Sequence, residues 1–291
     1  MNLKILSLLP GFRYSAVPSP VPVDADTTRL TVDPSEQIPP SQSGVDLHKG
    51  IRYGDGLRLD LLTPSTKGPH PLVVYIPGGG FVASSRRMAL RERAFIAAAG
   101  YAVASVEYRT TRQGATYVDG LADISAAIDH LVGGYPVAPS RIAVWGESAG
   151  GYLAALAGLT DPRVRAVVDM FGASDLSQVA EGFDERMHAA VADPRNPIRR
   201  YGAFDADPAA IAGADAPPFL LLHGDDDRVI PPAQTLRLHR ALREAGADST
   251  HYLLQGAGHG HIAFTRAQSR HWTSVRVMAI IEDFLAVHLR S

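Results

Sequence analysis

A serine flanked by glycines is the sharpest chemical signal in the sequence. Residues 146–150 read Gly-Glu-Ser-Ala-Gly, directly after the apolar run 142–145 and directly before a segment with helical spacing. A strand that turns tightly into a helix presents the serine hydroxyl above the strand end, and the strained turn tolerates only small neighbours. The pattern therefore predicts Ser148 as a nucleophile, with Gly146 and Gly150 keeping the turn free of side chains.

Three consecutive glycines form a second candidate feature. Residues 77–81 read Pro-Gly-Gly-Gly-Phe, after the apolar run 71–76. Such a run costs backbone entropy, which indicates that main-chain N–H groups approach another group closely. In acyl transfer that group is the developing oxyanion, and one donor contributes roughly 3 to 4 kcal/mol of transition-state stabilisation. We predict Gly79, Gly80 and Ala149 as the donors, the alternative being a flexible turn without a role.

A serine nucleophile also needs a general base, and the base needs a carboxylate that fixes its tautomer. Residues 224–231 contain three consecutive aspartates, and residues 256–261 contain two histidines. Each segment follows a predicted strand, so both lie at the sheet edge where Ser148 is expected. The order serine, aspartate, histidine is the one that this strand-turn-helix architecture uses.

The elements that must position these residues follow from apolar periodicity. The predicted strands are residues 57–62, 71–76, 101–107, 141–145, 164–170, 219–223 and 250–254. The predicted helices are residues 89–99, 118–132, 149–159, 232–245 and 273–288. Strands and helices in alternation predict an α/β fold, with a mostly parallel sheet covered by helices on both faces.

Two segments depart from this alternation. Residues 11–44 are rich in Pro, Ser, Asp and Thr, and we predict that residues 1–44 form an N-terminal arm that lies on the domain or is loosely ordered. Residues 45–291 are predicted to form one domain. Within it, residues 174–218 contain five prolines and are too long for an ordinary connection, so we predict a lid or a pocket wall there.

Composition excludes several classes of protein. Hydrophobic residues make up 46% of the 291 residues and charged residues 20%, which is typical of a globular chain. The 28 Lys and Arg against 30 Asp and Glu, without long runs of like charge, disfavour a nucleic-acid partner. The absence of Cys excludes disulfides, thiolate catalysis and Cys-ligated zinc.

Membrane insertion and export are also disfavoured. The sequence has no apolar run long enough to span a bilayer. The short apolar stretch at the N-terminus is interrupted by Pro10 and makes a poor signal peptide, so we expect a cytoplasmic protein, with secretion left open.

Four motifs in order resemble the α/β-hydrolase superfamily, and within it the hormone-sensitive-lipase-like and bacterial feruloyl-esterase-like carboxylesterases. The motifs lie at residues 106–109, 141–151, 161–164 and 223–231. The resemblance runs from about residue 45 to the C-terminus. It implies the α/β-hydrolase fold, with an eight-stranded, mostly parallel sheet and a lid-like insertion. It further implies a serine carboxylic-ester hydrolase that acts through an acyl-enzyme on a small to medium ester, without a cofactor or a metal.

Carried over residue by residue, the resemblance implies a catalytic triad and an oxyanion hole. The matching residues are the nucleophile Ser148, the acid Asp227, the base His259, and the oxyanion donors Gly79, Gly80 and Ala149. One position departs from the family pattern, since Pro77 stands where the family usually has a histidine before the three glycines.

Neighbouring residues offer rival assignments. Asp225 and Asp226 adjoin Asp227, but we interpret them as solvated loop residues because Asp227 has the family position before 228–231. A metal site formed by Asp225, Asp227, His259 and His261 is a further alternative, which no spacing supports over the triad.

The other histidines near the predicted site have less favourable positions. His251 and His261 rival His259 as the base, but glycines flank His259 and leave room for a close approach of Ser148. We interpret His261 as a pocket or surface residue. His223 ends a buried strand and is predicted to be a hydrogen-bonded structural histidine.

Two other functions remain open on the same residues. A triad does not distinguish esters from amides, so an amidase, an arylformamidase or a peptidase is the nearest alternative. An acceptor other than water would make the protein an acyltransferase. A non-catalytic ligand-binding protein could also keep this fold, because a fold does not fix function. The oligomeric state is left open, a homo-oligomer included.

Overall fold

The computed structural model describes residues 24–183, 185–202, 206–260 and 266–290. A mixed sheet occupies its centre. The strands are β1 (Thr28–Leu30), β2 (Val45–Arg52), β3 (Arg58–Pro64), β4 (His70–Ile76), β5 (Ala102–Val106), β6 (Val137–Glu147), β7 (Val164–Met170), β8 (Phe219–Gly224) and β9 (Ser249–Leu254). The helices are α1 (Leu90–Ala98), α2 (Tyr117–Gly134), α3 (Ala149–Thr160), α4 (Glu185–Ala192), α5 (Pro197–Tyr201), α6 (Ala233–Glu244), α7 (Arg266–Arg270) and α8 (Val275–Leu289).

The strand order is β1-β9-β8-β7-β6-β4-β5-β3-β2. The β3 strand pairs antiparallel with both β2 and β5, and all other neighbours are parallel. The parallel strands therefore end at one common edge, which confirms the mostly parallel sheet predicted from the alternating pattern.

Helices cover both faces of the sheet, as predicted. The β4 side chains alternate between the two cores: Leu72 and Val74 pack with residues of α2, α3 and α6, whereas Val73 and Tyr75 pack with residues of α1 and α8. All seven β4 residues are buried. A strand covered on both faces must be apolar throughout, which explains the continuous apolar run in the sequence.

The sheet has nine strands in the described residues, so the expectation of eight is wrong. The additional strand is β1, which lies within the predicted arm and pairs parallel with β9 from Thr28 opposite Tyr252 to Leu30 opposite Leu254. Three residues are too short for a periodic signal. Residues 1–23 of the arm lie outside the described residues, and the boundary at residue 45 stays a prediction.

The segment 174–218 contains α4 and α5. Asn196 caps the N-terminus of α5, because its side chain accepts a hydrogen bond from the Ile198 N–H at 2.9 Å. The start of the segment is fixed to α6, since Gln234 Oε1 accepts from the N–H groups of Ser174 and Asp175, each at 2.8 Å. None of the helices in the described parts of the chain is long and apolar enough to cross a membrane.

Candidate active site

Ser148 lies in the sharp turn between β6 and α3, as the sequence pattern predicts. Its backbone has φ 56° and ψ −121°, and its N–H donates to the Met170 carbonyl oxygen at 3.0 Å. A positive φ is costly for a residue with a Cβ atom, so the surrounding structure must hold it. Unlike its buried neighbours in the turn, Ser148 is only half-buried, which leaves its hydroxyl accessible.

The glycines around Ser148 are required by close backbone packing. A Cβ atom on Gly146 would lie 2.0 Å from the Gly150 carbonyl oxygen, and a Cβ atom on Gly150 would lie 2.0 Å from the Ile76 carbonyl oxygen. Both contacts are with backbone, which cannot move aside as a side chain can. The turn therefore depends on the absence of side chains at both positions.

The three residues predicted as a triad lie together. His259 Nε2 is 2.8 Å from Ser148 Oγ, and His259 Nδ1 is 2.7 Å from Asp227 Oδ2. Asp227 and His259 are buried, with 0% and 2% of their surfaces exposed. The serine comes from the end of β6, the aspartate from the loop after β8 and the histidine from the loop after β9. This arrangement can transfer a proton between Ser148 and His259.

The Asp227 carboxylate is held by four donors. Its Oδ1 accepts from the N–H groups of Val229 at 2.8 Å and Ile230 at 3.0 Å, and its Oδ2 lies 3.3 Å from His223 Nε2 in addition to His259. Burial by itself raises the pKa of Asp227, but the facing His259 and His223 outweigh it and hold that pKa below its usual range. An ionised carboxylate accepts from His259 Nδ1–H, so Nε2 is left free to accept the Ser148 proton.

The contact between His223 and Asp227 was not predicted. His223 is fully buried and hydrogen-bonded, as expected of a structural histidine, with its Nε2 3.0 Å from the Ile230 carbonyl oxygen. The signal in the sequence was the position of His223, at the end of β8 and four residues before Asp227.

The rival aspartates have other partners. Asp225 Oδ1 accepts from the Gly256 N–H at 2.7 Å, and Asp226 pairs with Arg228 at 3.2 Å and with Gln268. Both side chains are half-buried, and they connect the loop after β8 to neighbouring segments.

Of the two rival histidines, the structure describes only His251, and this residue does not contact Ser148. His251 lies in the middle of β9, between the hydroxyls of Thr235 at 3.2 Å and Thr27 at 3.1 Å. His261 lies outside the described residues, so the metal-site alternative that includes it is not tested. Within the described ranges no group of three or more His, Asp or Glu side chains could hold a metal ion.

The glycine loop after β4 lies directly against the serine turn. A Cβ atom on Gly78 would be 3.2 Å from Ser148 Cβ, and Gly79 and Gly80 have φ of 153° and 59°. A Cβ atom on Gly79 would also lie 2.0 Å from the Ala83 carbonyl oxygen. Among the residues that the structure describes, no group accepts a hydrogen bond from the N–H of Gly79, Gly80 or Ala149. These donors can therefore serve a bound group.

The unusual Pro77 takes part in this loop through its carbonyl group. Its oxygen accepts from the Tyr108 hydroxyl at 2.9 Å, and the Phe81 carbonyl oxygen accepts from the Thr111 N–H at 2.9 Å. Both ends of the glycine run are thus fixed. Neither bond needs an N–H at residue 77, which proline lacks.

Aromatic side chains pack against His259 and against the glycine loop. Phe171 packs its ring edge-on against His259, with ring centroids 4.9 Å apart, and against Trp272 at 4.6 Å. Tyr201, at the end of α5, stacks on Phe81 at 4.6 Å, so the 174–218 segment contacts the glycine loop. Nothing in the sequence pattern singled out Phe171 or Trp272, because single aromatic residues in apolar segments are typical of any core.

Comparisons with known proteins find a matching family model and several relatives. The family model described as BD-FAE matches residues 59–242, more than half of the chain. The "Probable carboxylic ester hydrolase LipM" of Mycobacterium tuberculosis is 28% identical over 75% of this chain and 54% of its own length. "Esterase LipC" of the same organism is 33% identical over 66% of this chain and 53% of its own length. The chain thus spans about half the length of these curated relatives.

A solved structure, the "Truncated form of carbohydrate esterase from gut microbiota", matches with a TM-score of 0.73 and 23% sequence identity. The match covers 87% of this chain and 99% of that chain. At this identity the likeness establishes the fold.

Proposed function

The chain belongs to the BD-FAE family and has the α/β-hydrolase fold, and on this basis we propose that it is a serine carboxylic-ester hydrolase acting through an acyl-enzyme. The observation that carries the proposal is the position of His259, within hydrogen-bond distance of both Ser148 Oγ and Asp227 Oδ2. Esterase relatives support the ester as substrate class.

The reaction takes place in two halves at one serine. Ser148 Oγ attacks the ester carbonyl while His259 Nε2 takes the hydroxyl proton, and a tetrahedral intermediate forms. His259 then returns the proton to the leaving alcohol, which departs and leaves Ser148 acylated. In the second half His259 activates water, the acyl group leaves as the acid, and Ser148 regains its proton. Asp227 stabilises the charged form of His259 in each half.

The oxyanion of the intermediate needs donors, and the available N–H groups of Gly79, Gly80 and Ala149 are the ones we propose. Their support is the close approach of the glycine loop to Ser148. Loss of one such donor typically lowers kcat by about 10² to 10³.

We propose that the segment 174–218 forms a wall of the substrate pocket. Its support is the stacking of Tyr201 on Phe81, which follows the proposed donor loop directly. Tyr152 in α3 contacts the same segment, because its hydroxyl donates to the Ala206 carbonyl oxygen at 2.8 Å. We propose a small to medium ester as the substrate that this wall would contact.

The test compares the wild type with Ser148→Ala on nitrophenyl esters of increasing acyl length, an acetylated sugar and an anilide. We expect ester hydrolysis by the wild type and a loss of about 10⁴- to 10⁶-fold in Ser148→Ala. Ser125→Ala is the matched control, since this serine lies in α2 and accepts from Arg163.

Three outcomes would change the proposal. Faster cleavage of the anilide than of the esters would favour an amidase or a peptidase. Failure of the wild type both to hydrolyse esters and to react with a fluorophosphonate would favour a ligand-binding protein. Retention of a tenth of the activity by Ser148→Ala would refute the nucleophile assignment.

A further inference from the structure

Hydrogen bonds continue behind Asp227, away from Ser148 and into the core. His223 Nδ1 lies 2.8 Å from Thr235 Oγ1, which lies 3.2 Å from His251 Nε2, and His251 Nδ1 lies 3.1 Å from Thr27 Oγ1. The side chains of His223, Thr235 and His251 are at most 1% exposed. We call His223, Thr235, His251 and Thr27 the polar chain.

The acceptors at its catalytic end fix the direction of every bond. His223 Nε2 faces two acceptors, Asp227 Oδ2 at 3.3 Å and the Ile230 carbonyl oxygen at 3.0 Å, so Nε2 carries the proton. In the neutral imidazole, Nδ1 then accepts from the Thr235 hydroxyl. The other acceptor near that hydroxyl, the Pro232 carbonyl oxygen, is farther away at 3.4 Å.

The same reasoning continues to the end of the polar chain. With its proton directed to His223, the Thr235 oxygen accepts from His251 Nε2–H, and His251 Nδ1 accepts from the Thr27 hydroxyl. Every donor thus has an acceptor, and each histidine has one tautomer. The hydroxyl of Thr235 is the group that selects the donating tautomer of His223.

Burial keeps His251 neutral. Burial, reinforced by the neighbouring His239 and His223, lowers the pKa of His251 to about 3. His239 stacks on it with ring centroids 5.4 Å apart, and burial lowers the pKa of His239 as well. The outer groups, which face His239 or His251 from the arm and α6, are Asp24, Asp26, Arg240 and Arg243.

We propose that His223 is a positioning residue of the triad, and that Thr235 sets the tautomer in which it does so. This inference rests on the proposed serine-hydrolase function. His223 Nε2–H fixes the plane of the Asp227 carboxylate and shares Oδ2 with His259. Without this donor the carboxylate would be a stronger base and would hold the protonated form of His259 more tightly, so activity would require a higher pH.

The test uses two variants of the full chain at position 223 and one at position 235. His223→Leu removes the donor, whereas His223→Gln places an amide N–H near the same point. Thr235→Val removes the hydroxyl and keeps the shape. The matched control is His70→Leu, because His70 is a buried histidine at the start of β4 that bonds to the Thr66 carbonyl oxygen at 3.0 Å.

We expect His223→Leu to lower kcat by about 10- to 100-fold at unchanged KM, since a bond to a charged group is lost and no residue of the polar chain is placed to touch substrate. The rise of kcat/KM with pH should move upward by about half a unit or more. His223→Gln should recover most of the lost kcat and most of the shift in the pH profile. Thr235→Val should show a smaller loss and a smaller shift in the same direction. The control His70→Leu should show neither.

A second readout does not depend on catalysis. The proton in the His259–Asp227 hydrogen bond should give a downfield NMR resonance, and His223→Leu and Thr235→Val should both shift it, unlike His70→Leu. An inactive wild type would refute the proposed hydrolase function, while this resonance would still test the positioning of Asp227. An unshifted pH profile and resonance in folded Thr235→Val and His223→Leu would overturn the inference. A loss of kcat in His223→Leu that His223→Gln does not recover would also overturn the inference.

Discussion

The replacement Asp227→Asn tests the proposed triad most directly, because the donors around the side chain determine how an amide must lie. Oδ1 accepts from the backbone N–H groups of Val229 and Ile230, so the amide oxygen must take that position. The amide NH₂ group then replaces Oδ2, opposite His259 Nδ1 and His223 Nε2.

This exchange reverses the hydrogen bond to His259. Since the amide donates, His259 must accept at Nδ1 and carry its proton on Nε2, where it faces Ser148 and cannot take the hydroxyl proton. In a trypsin-type triad the same exchange lowers kcat by about 10⁴, or about 5.4 kcal/mol in the activation free energy. His223 would also face a donor, which adds about 1 to 3 kcal/mol of lost stability.

The assay measures kcat and KM on a nitrophenyl ester, together with unfolding in urea. We expect Asp227→Asn to lose about 10⁴ in kcat while the fold survives. Asp225→Asn and Asp226→Asn are matched controls from the same loop, each expected to cost less than about tenfold because their partners lie outside the triad. The reasoning is refuted if Asp227→Asn keeps a tenth of the activity, or if Asp225→Asn is the most damaging of the three.

Three further predictions concern the surroundings of the triad. Gly150→Ala should lower the free energy of unfolding by about 2 to 4 kcal/mol and abolish activity, since its Cβ atom would lie 2.0 Å from the Ile76 carbonyl oxygen; an unchanged urea midpoint would contradict this. Burial raises the pKa of Asp169 to about 7, so the folded state keeps a proton that the unfolded state loses near pH 4. The free energy of unfolding of the wild type should therefore fall as the pH rises from about 4 to about 7. The stability of Asp169→Asn relative to wild type should therefore rise over that range by up to roughly 4 kcal/mol, and a pH-independent difference in urea unfolding would refute the assignment. Pro77→His should keep kcat/KM within about tenfold, because the loop uses only the carbonyl oxygen of residue 77, and a hundredfold gain would show that the native site is impaired.

The sequence predicts the elements that are buried or strongly amphipathic. All five predicted helices end within two residues of their observed bounds, and α3 begins at the predicted residue, Ala149. The predicted start of β6 at residue 141 is four residues late, because Pro139 and the exposed Ser140 interrupt the apolar run. Periodicity identifies elements well when one face must be apolar.

Apolar periodicity does not predict edge strands, and the reason is physical. The β2 strand is exposed or half-buried along its whole length, and its register shifts between His48 and Ile51. Gly50, with φ 68°, lies within this irregularity and breaks the alternation of side chains. An edge strand with a bulge has neither a continuous apolar run nor a strict period of two.

For the candidate site, chain order predicts which residues meet but not what supports them. Ser148, Asp227 and His259 could be predicted because each follows a strand that ends at one edge. The polar chain could not, because Thr235 and His251 share no motif with the site. They approach His223 only through the packing of α6 on β8 and β9.

Residues with strained backbone conformations cluster around the proposed site. Four non-glycine residues in the described part of the chain have a positive φ, and three of them, Phe81, Ser148 and Phe171, border the proposed site. Such a conformation costs of order 1 to 3 kcal/mol and persists only where surrounding contacts enforce it. The Phe171 N–H donates to the Leu222 carbonyl oxygen at 2.7 Å, and the Phe81 carbonyl oxygen accepts from Thr111. These bonds hold one aromatic ring against His259 and the other against Tyr201, so strained residues position the surroundings of the proposed site as well as its proposed nucleophile.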